Sequence, residues 1–266
     1  MRILISDNLA DSGIQKLKSV PEFQVDVITK LSHEQLCRII EDYDALVIRS
    51  ATKVNAEIIH AGHNLKVVAR AGIGLDNVDI EAASRSGIVV MNTPEGNVIT
   101  TAEHVIAMMF ALTRNIPQAN SSLKAGKWEK SRFSGRELSH KVLGIIGIGR
   151  IGRIVADRAK GLKMNVIACD PYISQEVVEK LGVKGVSLDE LLAQSDYITV
   201  HTPMTKETRG LLNADAFKKM KKGVFVINCA RGGIYDEEDL YDAIQSGIVA
   251  GAALDVFVQE PPTNSP

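Results

Sequence analysis

A glycine-rich segment near the middle of the chain, residues 147–152 (GIGRIG), has the residue types and spacing of a phosphate-binding turn. It follows an apolar run, 142–146, and precedes apolar residues at helical spacing. In a turn from strand to helix, Gly147 would permit the tight bend, Gly149 the approach of backbone to a pyrophosphate, and Gly152 the close packing of helix on sheet. The free amides and the dipole of the helix would face the phosphates. A glycine turn can also serve packing alone, so the pattern needs support from its surroundings.

An acidic residue at a suitable distance supplies that support. The next predicted strand ends at Asp170, which follows Gly152 by 18 residues, near the roughly 20 typical of the acid that binds the adenosine ribose. A carboxylate there would also repel a 2′-phosphate. The turn and the acid together predict binding of NAD rather than NADP.

Polar residues follow further apolar runs in the second half of the chain. These segments are 200–203 (VHTP), 228–233 (NCARGG), 253–257 (ALDVF) and 259–262 (QEPP). Ligands bind beyond the carboxyl ends of the strands in an open parallel sheet. Each segment alone could be an ordinary capped strand end, but their recurrence at successive strands predicts a site.

The elements that must position these residues follow an α/β pattern, in which short β-branched runs alternate with helical stretches. The first half has predicted strands at 3–6, 23–28, 45–49, 65–69 and 89–92, with helices near 11–19, 32–43, 55–62 and 79–86. The second half has predicted strands near 142–146, 165–169, 196–201, 224–228 and 250–256. We predict two domains, 1–96 and 97–266, which divide at the turn 93–97. A return segment of the first domain and the end of the second are both expected to follow residue 266.

A long apolar helix is predicted to open the second domain. Thr100 and Glu103 match a capping box, which would start the helix at Thr100. The following residues, 105–112, leave little polar face, so the helix is expected to be buried. A core helix and a dimer interface both fit this pattern.

Composition narrows the class of protein. The chain has 266 residues and a net charge of -1, which gives no reason to expect nucleic acid or an anionic membrane as a partner. Its three cysteines are odd in number and include no CxxC pair, so their spacing predicts neither disulfides nor a metal site. The amino terminus has no apolar run of signal-peptide length. We therefore expect a cytoplasmic protein that acts on a small molecule.

Motifs along the whole chain make it resemble the D-isomer-specific 2-hydroxyacid dehydrogenase family. They are RSATKV at 49–54, RAGIGLDNVD at 70–79, VMNTPEGN at 90–97, GIIGIGRIGR at 144–153, VHTP at 200–203, NCARGGI at 228–234, AGAALDVF at 250–257 and QEPP at 259–262. The resemblance implies a flavodoxin-like substrate domain followed by a Rossmann-type, doubly wound nucleotide-binding domain. It also implies a homodimer or tetramer.

The family pattern assigns roles residue by residue. Arg231 would fix the substrate's carboxylate and keto oxygen, where a planar two-pronged donor is superior to lysine, and Glu260 would raise the pKa of a catalytic histidine. The cofactor contacts implied are Gly147, Gly149, Arg150, Ile151, Gly152, Asp170, Thr202, Cys229, Ala230 and Asp255.

The expected reaction is NAD-dependent oxidation at C2 of 3-phosphoglycerate, which opens L-serine biosynthesis. Arg49 and Arg70 are the matching positions for the substrate's phosphate, although either could form a surface salt bridge instead. Ile73 stands where relatives often carry threonine, so a hydroxyl contact with the cofactor is not expected there.

The proton acceptor is harder to place. Histidine suits this work near neutral pH, and of the six histidines only His201 lies at a predicted cofactor-facing strand end. The family's base belongs to a PHxGA-type segment after Glu260, which would lie beyond Pro266. We therefore expect residues 1–266 to bind NAD poorly or moderately and to turn over little, and full turnover would favour His201.

Alternative functions stay open. A relative that reduces glyoxylate or hydroxypyruvate would keep its activity when Arg49 or Arg70 is changed. A NAD-sensing binding protein, similar to the family's transcriptional corepressors, would bind a protein partner and leave 3-phosphohydroxypyruvate unreduced. A degenerate pseudoenzyme would lack the histidine-containing segment in its complete reading frame.

Overall fold

The computed structural model describes residues 1–263 and 265. These residues form two compact units, of which the first is Met1–Asn97 and the second begins at Val98. Within the described ranges, no helix is long and apolar enough to cross a membrane.

The first unit is a parallel sheet with helices between its strands. Its strands are β1 (Arg2–Ile5), β2 (Gln24–Val27), β3 (Ala45–Ile48), β4 (Val67–Arg70) and β5 (Val89–Asn92). Its helices are α1 (Asp11–Lys18), α2 (His33–Ile39), α3 (Ala56–Ala61) and α4 (Ile80–Arg85), and a 3-10 turn (Ile40–Asp42) extends α2. The strands lie in the order β2-β1-β3-β4-β5. This is the flavodoxin-like order, so the fold predicted for this unit is confirmed.

The second unit has a larger parallel sheet. Its strands are β6 (Val142–Ile146), β7 (Asn165–Cys169), β8 (Lys184–Gly185), β9 (Tyr197–Val200), β10 (Val224–Asn228) and β11 (Val249–Leu254). Its helices are α5 (Val98–Thr113), α6 (Ile116–Lys124), α7 (Arg150–Gly161), α8 (Gln175–Lys180), α9 (Leu188–Gln194), α10 (Ala214–Lys219) and α11 (Glu237–Gln245), with a 3-10 turn at Lys130–Phe133.

The order of these strands, β11-β10-β9-β6-β7-β8, is the doubly wound order of a Rossmann fold, which reverses direction between β6 and β9. Both faces of the sheet are covered, because Leu143 and Ile145 belong to one core cluster and Ile146 to the other. The α/β prediction with a Rossmann-type second unit is therefore confirmed. The crevice at the reversal lies where a ligand is expected.

The long apolar helix is a core helix of the second unit. Ala102, Val105 and Met109 are buried in the cluster that α5 shares with α7 and the sheet. The capping-box prediction was wrong, because α5 begins at Val98. Thr100 is thus the third helical residue, too far inside the helix to serve as its cap.

Candidate active site

The turn between β6 and α7 has the backbone geometry that the glycines predict. Gly147 has a φ of 91°, a left-handed conformation that favours glycine. At Gly152 an added Cβ would lie 2.2 Å from the carbonyl oxygen of Gly147, so only glycine lets the helix pack this closely. At Gly149 an added Cβ would meet no described atom within 4 Å. Open space at the helix N-cap is where a pyrophosphate can approach backbone amides.

The predicted ribose acid lies directly against this turn. One carboxylate oxygen of Asp170, Oδ2, accepts a hydrogen bond of 2.9 Å from the amide of Ile148, and Oδ1 accepts one of 2.9 Å from the amide of Tyr172. Asp170 therefore fixes both its own loop and the glycine turn. Its carboxylate lies at the carboxyl end of β7, next to the strand that carries the turn.

The segment after β9 places Thr202 beside the glycine turn, since a Cβ on Gly147 would lie 2.9 Å from the Thr202 methyl group. The Thr202 hydroxyl is buried and has no hydrogen-bond partner among the described residues. His201 is half-buried, its Nε2 lies 3.2 Å from the Thr199 hydroxyl, and burial lowers its pKa to about 4. A ring this weakly basic is a poor general base near neutral pH, which argues against His201 as the proton acceptor of the reaction.

The loop after β10 is organised by a buried amide that sequence reasoning missed. Asn228, only 2% exposed, accepts a bond of 3.0 Å from the amide of Ala230 and donates one of 2.8 Å to the carbonyl of Arg231. These bonds fix the backbone on either side of the Arg231 side chain, which is half-buried. A single Asn at a strand end is common in turns, so its type alone could not identify this role.

Three groups converge where β10 and β11 end. The carboxylate of Asp255 lies 3.6 Å from Nε2 of His104 on α5, and the thiol of Cys229 lies within 4.8 Å of both. Burial, with a smaller contribution from the Asp255 charge, raises the pKa of the Cys229 thiol to about 12. The thiol is therefore protonated at neutral pH and is not a nucleophile. His104 was not predicted, because its neighbours in space are remote in sequence.

Glu260 lies in the loop after β11 and is exposed. Its Oε1 accepts a hydrogen bond of 3.2 Å from the amide of Phe257. Across residues 1–263, histidine pairs with carboxylate at His33–Glu57 and His104–Asp255. The predicted pairing of Glu260 with a catalytic histidine stays a prediction.

In the first unit, the two arginines predicted to bind the substrate's phosphate lie side by side at the carboxyl ends of neighbouring strands. Arg70 ends β4 opposite Ile48 of β3, and Arg49 follows Ile48. The buried carboxylate of Asp7 holds the Arg49 segment, since it accepts bonds of 2.6 Å from the amide of Arg49 and 3.1 Å from that of Thr52. The guanidinium of Arg49 donates a hydrogen bond of 3.3 Å to the carbonyl of Asn8, and that of Arg70 donates one to the carbonyl of Gly74.

The second unit fits a dinucleotide on three independent observations. The N-cap of α7 opens onto free space at Gly149, the carboxylate of Asp170 flanks the turn, and the hydroxyl of Thr202 is buried beside it without a described partner. An open helix N-terminus can bind an anion, a carboxylate can accept a hydrogen bond from a ribose, and a buried hydroxyl without a described partner can bond to a ligand.

Comparison with known proteins agrees with this geometry. The family model for the D-isomer specific 2-hydroxyacid dehydrogenase, NAD binding domain, matches residues 106–266. This chain belongs to that family. The matched domain binds NAD, so the predicted cofactor is confirmed.

The D-3-phosphoglycerate dehydrogenase of Archaeoglobus fulgidus is 53% identical over 263 residues, which cover 99% of this chain and 50% of that protein. The chain thus spans about half the length of the curated relatives it matches. A glyoxylate reductase from Paecilomyes thermophila has a TM-score of 0.90 at 32% identity, over 98% of this chain and 82% of its own. The D-lactate dehydrogenase from Aquifex aeolicus, in complex with NAD and lactic acid, has a TM-score of 0.86 at 30% identity, over 97% of this chain and 78% of its own.

Proposed function

We propose that the protein containing this chain oxidises 3-phosphoglycerate to 3-phosphohydroxypyruvate with NAD, the reaction that opens L-serine biosynthesis. The observation that carries the proposal is the 53% identity to a D-3-phosphoglycerate dehydrogenase over 99% of the chain. The solved neighbour that acts on glyoxylate is only 32% identical. Because that match covers 99% of the chain, it includes both units.

NAD would accept the hydride that leaves C2 of the substrate. The second unit would bind the pyrophosphate through amides of Gly149 to Ile151, with the side chain of Arg150 adding charge. Asp170 would accept a hydrogen bond from the adenosine ribose, and Asp255 would accept one from the nicotinamide carboxamide. Thr202 and the backbone of Cys229 and Ala230 would line the space between these ends.

The substrate would be held by charge. Arg231 suits the carboxylate and the oxygen on C2, because a guanidinium donates two parallel hydrogen bonds from a fixed plane. Arg49 and Arg70 would bind the phosphate, whose charge distinguishes this substrate from glyoxylate. Glu260 would hold the histidine that takes the hydroxyl proton and would favour its charged form.

The direct test is oxidation of NADH by the complete protein with 3-phosphohydroxypyruvate, glyoxylate and hydroxypyruvate in parallel. We expect the phosphorylated substrate to have the highest kcat/KM, and Arg49→Met or Arg70→Met to lower that value at least about tenfold, the equivalent of one lost charged hydrogen bond. The same variants should leave the value for hydroxypyruvate almost unchanged. Equal kcat/KM for the three acids would reject the phosphoglycerate assignment and favour a general reductase.

We also propose that a second copy of the chain covers an exposed apolar surface on the second unit. Ile116 and Leu123 on α6 are 51% and 58% exposed, and Trp128 beyond the helix is 81% exposed. Three large apolar side chains on one short segment favour an interface over free solvent. Light scattering should give a dimer or tetramer for the unaltered protein and a smaller mass for Leu123→Lys.

We expect the assembly in the cytoplasm, because Cys37, Cys169 and Cys229 are all free thiols.

A further inference from the structure

Two helices of the first unit bring three metal-binding side chains together on the surface. His33 and Cys37 lie one helical turn apart on α2, and Glu57 lies on α3, which packs against it. The Nε2 atom of His33 is 2.8 Å from Oε2 of Glu57 and 3.7 Å from Sγ of Cys37. All three potential ligand atoms lie within 4.8 Å of one another.

These distances are close to those of a tetrahedral site. Zinc bonds of about 2.0–2.1 Å to nitrogen and about 2.3 Å to sulfur, at a tetrahedral angle, separate the two ligand atoms by about 3.5 Å. The sulfur–nitrogen distance of 3.7 Å already satisfies this requirement. The carboxylate must withdraw from the imidazole by about 0.6 Å to reach the corresponding nitrogen–oxygen distance. Glu57 can do so, because its side chain is 71% exposed.

The backbone that carries the three side chains is fixed on both helices. Ser32 and Gln35 form a reciprocal capping box at the start of α2, next to His33. Asn55 caps α3 through a bond of 3.1 Å from the amide of Ile58. Leu36 and Ile58 are buried in one core cluster, so the separation of the helices is set by packing and not by the ligands.

We propose that His33, Cys37 and Glu57 bind a divalent cation of the zinc class, with water in the fourth position. A nitrogen, sulfur and oxygen donor set suits Zn²⁺ or Co²⁺, whereas Mg²⁺ and Ca²⁺ require oxygen ligands. Binding would replace the thiol proton of Cys37, which is released to solvent as the sulfur–metal bond forms. The side chains are open to solvent, so an ion can reach them directly. Cysteine spacing alone missed this site, because its third ligand comes from another helix.

The site is independent of the proposed reaction, since none of its residues belongs to the cofactor or substrate machinery. The test uses the metal-free chain 1–266, titrated with Co²⁺ and, in competition with a chromogenic chelator, with Zn²⁺. We expect one equivalent to bind and Co²⁺ to give a near-ultraviolet thiolate-to-metal absorption band. Cys37→Ser should abolish the band. His33→Gln and Glu57→Gln should each weaken Zn²⁺ binding at least about tenfold.

The matched control is His104→Gln, which removes the histidine from a second cluster of potential metal-binding side chains in the described residues, His104, Cys229 and Asp255. This variant should bind Co²⁺ with an unchanged band, and circular dichroism of every metal-free variant should show the fold intact. An unchanged band in Cys37→Ser, loss of the band in His104→Gln, or failure of the unaltered chain to bind one equivalent would overturn the proposal.

Discussion

Glycine-to-alanine substitutions along α7 separate what each glycine does for the fold from what it does for the cofactor. Gly149 and Gly152 belong to the glycine turn that is proposed to bind the pyrophosphate, and Gly161 ends the helix far from it. A Cβ added to Gly152 would lie 2.2 Å from the carbonyl oxygen of Gly147. A Cβ added to Gly149 or Gly161 would have no described atom within 4 Å. The same methyl group is therefore added to one crowded and two open positions.

The structure gives the size of each effect on stability. Cβ contacts shorter than 3.0 Å essentially never occur, so Gly152→Ala must displace the turn or the helix by about 0.8 Å, a degree of overpacking that costs about 1–3 kcal/mol. In a unit of this size, that cost lowers Tm by roughly 3–10 °C. Gly149→Ala alters an N-cap position, where the cost is below about 1 kcal/mol. Gly161→Ala should be neutral or should stabilise by up to about 1 kcal/mol.

The effects on cofactor binding follow a different order. The methyl group of Gly149→Ala would occupy the space that the pyrophosphate must enter, and it would lengthen the amide bonds to the phosphate. Losing one charged hydrogen bond of about 1.5–3 kcal/mol weakens NAD binding roughly 10- to 150-fold. Gly152→Ala should also weaken binding, since it displaces the turn, whereas Gly161→Ala should leave the dissociation constant unchanged.

Thermal melting by circular dichroism and NAD titration by calorimetry measure the two effects on the same samples. The expected result is that Gly149→Ala loses affinity at nearly full stability and Gly152→Ala loses both. NAD binding by Gly149→Ala equal to that of the unaltered chain would refute the placement of the pyrophosphate. A fall in Tm for Gly149→Ala as large as for Gly152→Ala would refute the steric argument itself.

Substitutions at three other residues test the surroundings of the turn. Asp170→Asn keeps an acceptor for the amide of Ile148 but removes the charge, so the preference for NAD over NADP should fall roughly tenfold. Asp170→Ala should also lower the free energy of unfolding by about 1–3 kcal/mol, because it leaves that buried amide unpaired. Asn228→Ala removes both bonds that hold the Arg231 loop, so we expect a stability loss of about 1–3 kcal/mol in urea unfolding and weaker substrate binding by the complete protein; full retention of both would contradict the assigned role. Because burial lowers the pKa of His201 to about 4 from 6.5, its neutral form stabilises the fold above pH 6.5, and this stability is lost as pH falls to about 4. The pH dependence of unfolding in that window should be smaller in His201→Gln, and an unaltered dependence would contradict burial of the ring.

The sheet and the turn were predictable because their patterns are local. Strands β6 and β7 were placed to the residue, since each is a β-branched run bounded by polar or glycine residues. Strand β8 was missed because it has only two residues, Lys184 and Gly185, too few for any period to show. The start of α5 was misplaced because Thr100 and Glu103 form a plausible cap in sequence, while the helix that packs on the core begins earlier.

The residues that position the site could not be predicted in the same way, because their roles depend on partners far along the chain. Asp7 holds the Arg49 segment across 42 residues, and His104 meets Asp255 from a helix in another part of the second unit. In the sequence, Asp7 is an acid after a strand and His104 a histidine in an apolar helix. Neither type of residue at such a place favours a function over an ordinary surface role.

The local and the long-range parts of the site have different physical origins, and this division bears on how the site works. The glycine turn needs only a strand, a helix and small residues to make a place for phosphate, so a short motif is enough to encode it. A substrate group must instead be held in a particular direction by charges on separate elements. In the second unit Arg231 is the residue proposed to do so, and the neutral amide of Asn228, only 2% exposed, fixes the backbone around it through bonds of 2.8 and 3.0 Å. Leaving a buried amide without one of its partners costs more free energy than a single hydrogen bond contributes to stability. The loop is therefore held in one conformation before any substrate binds.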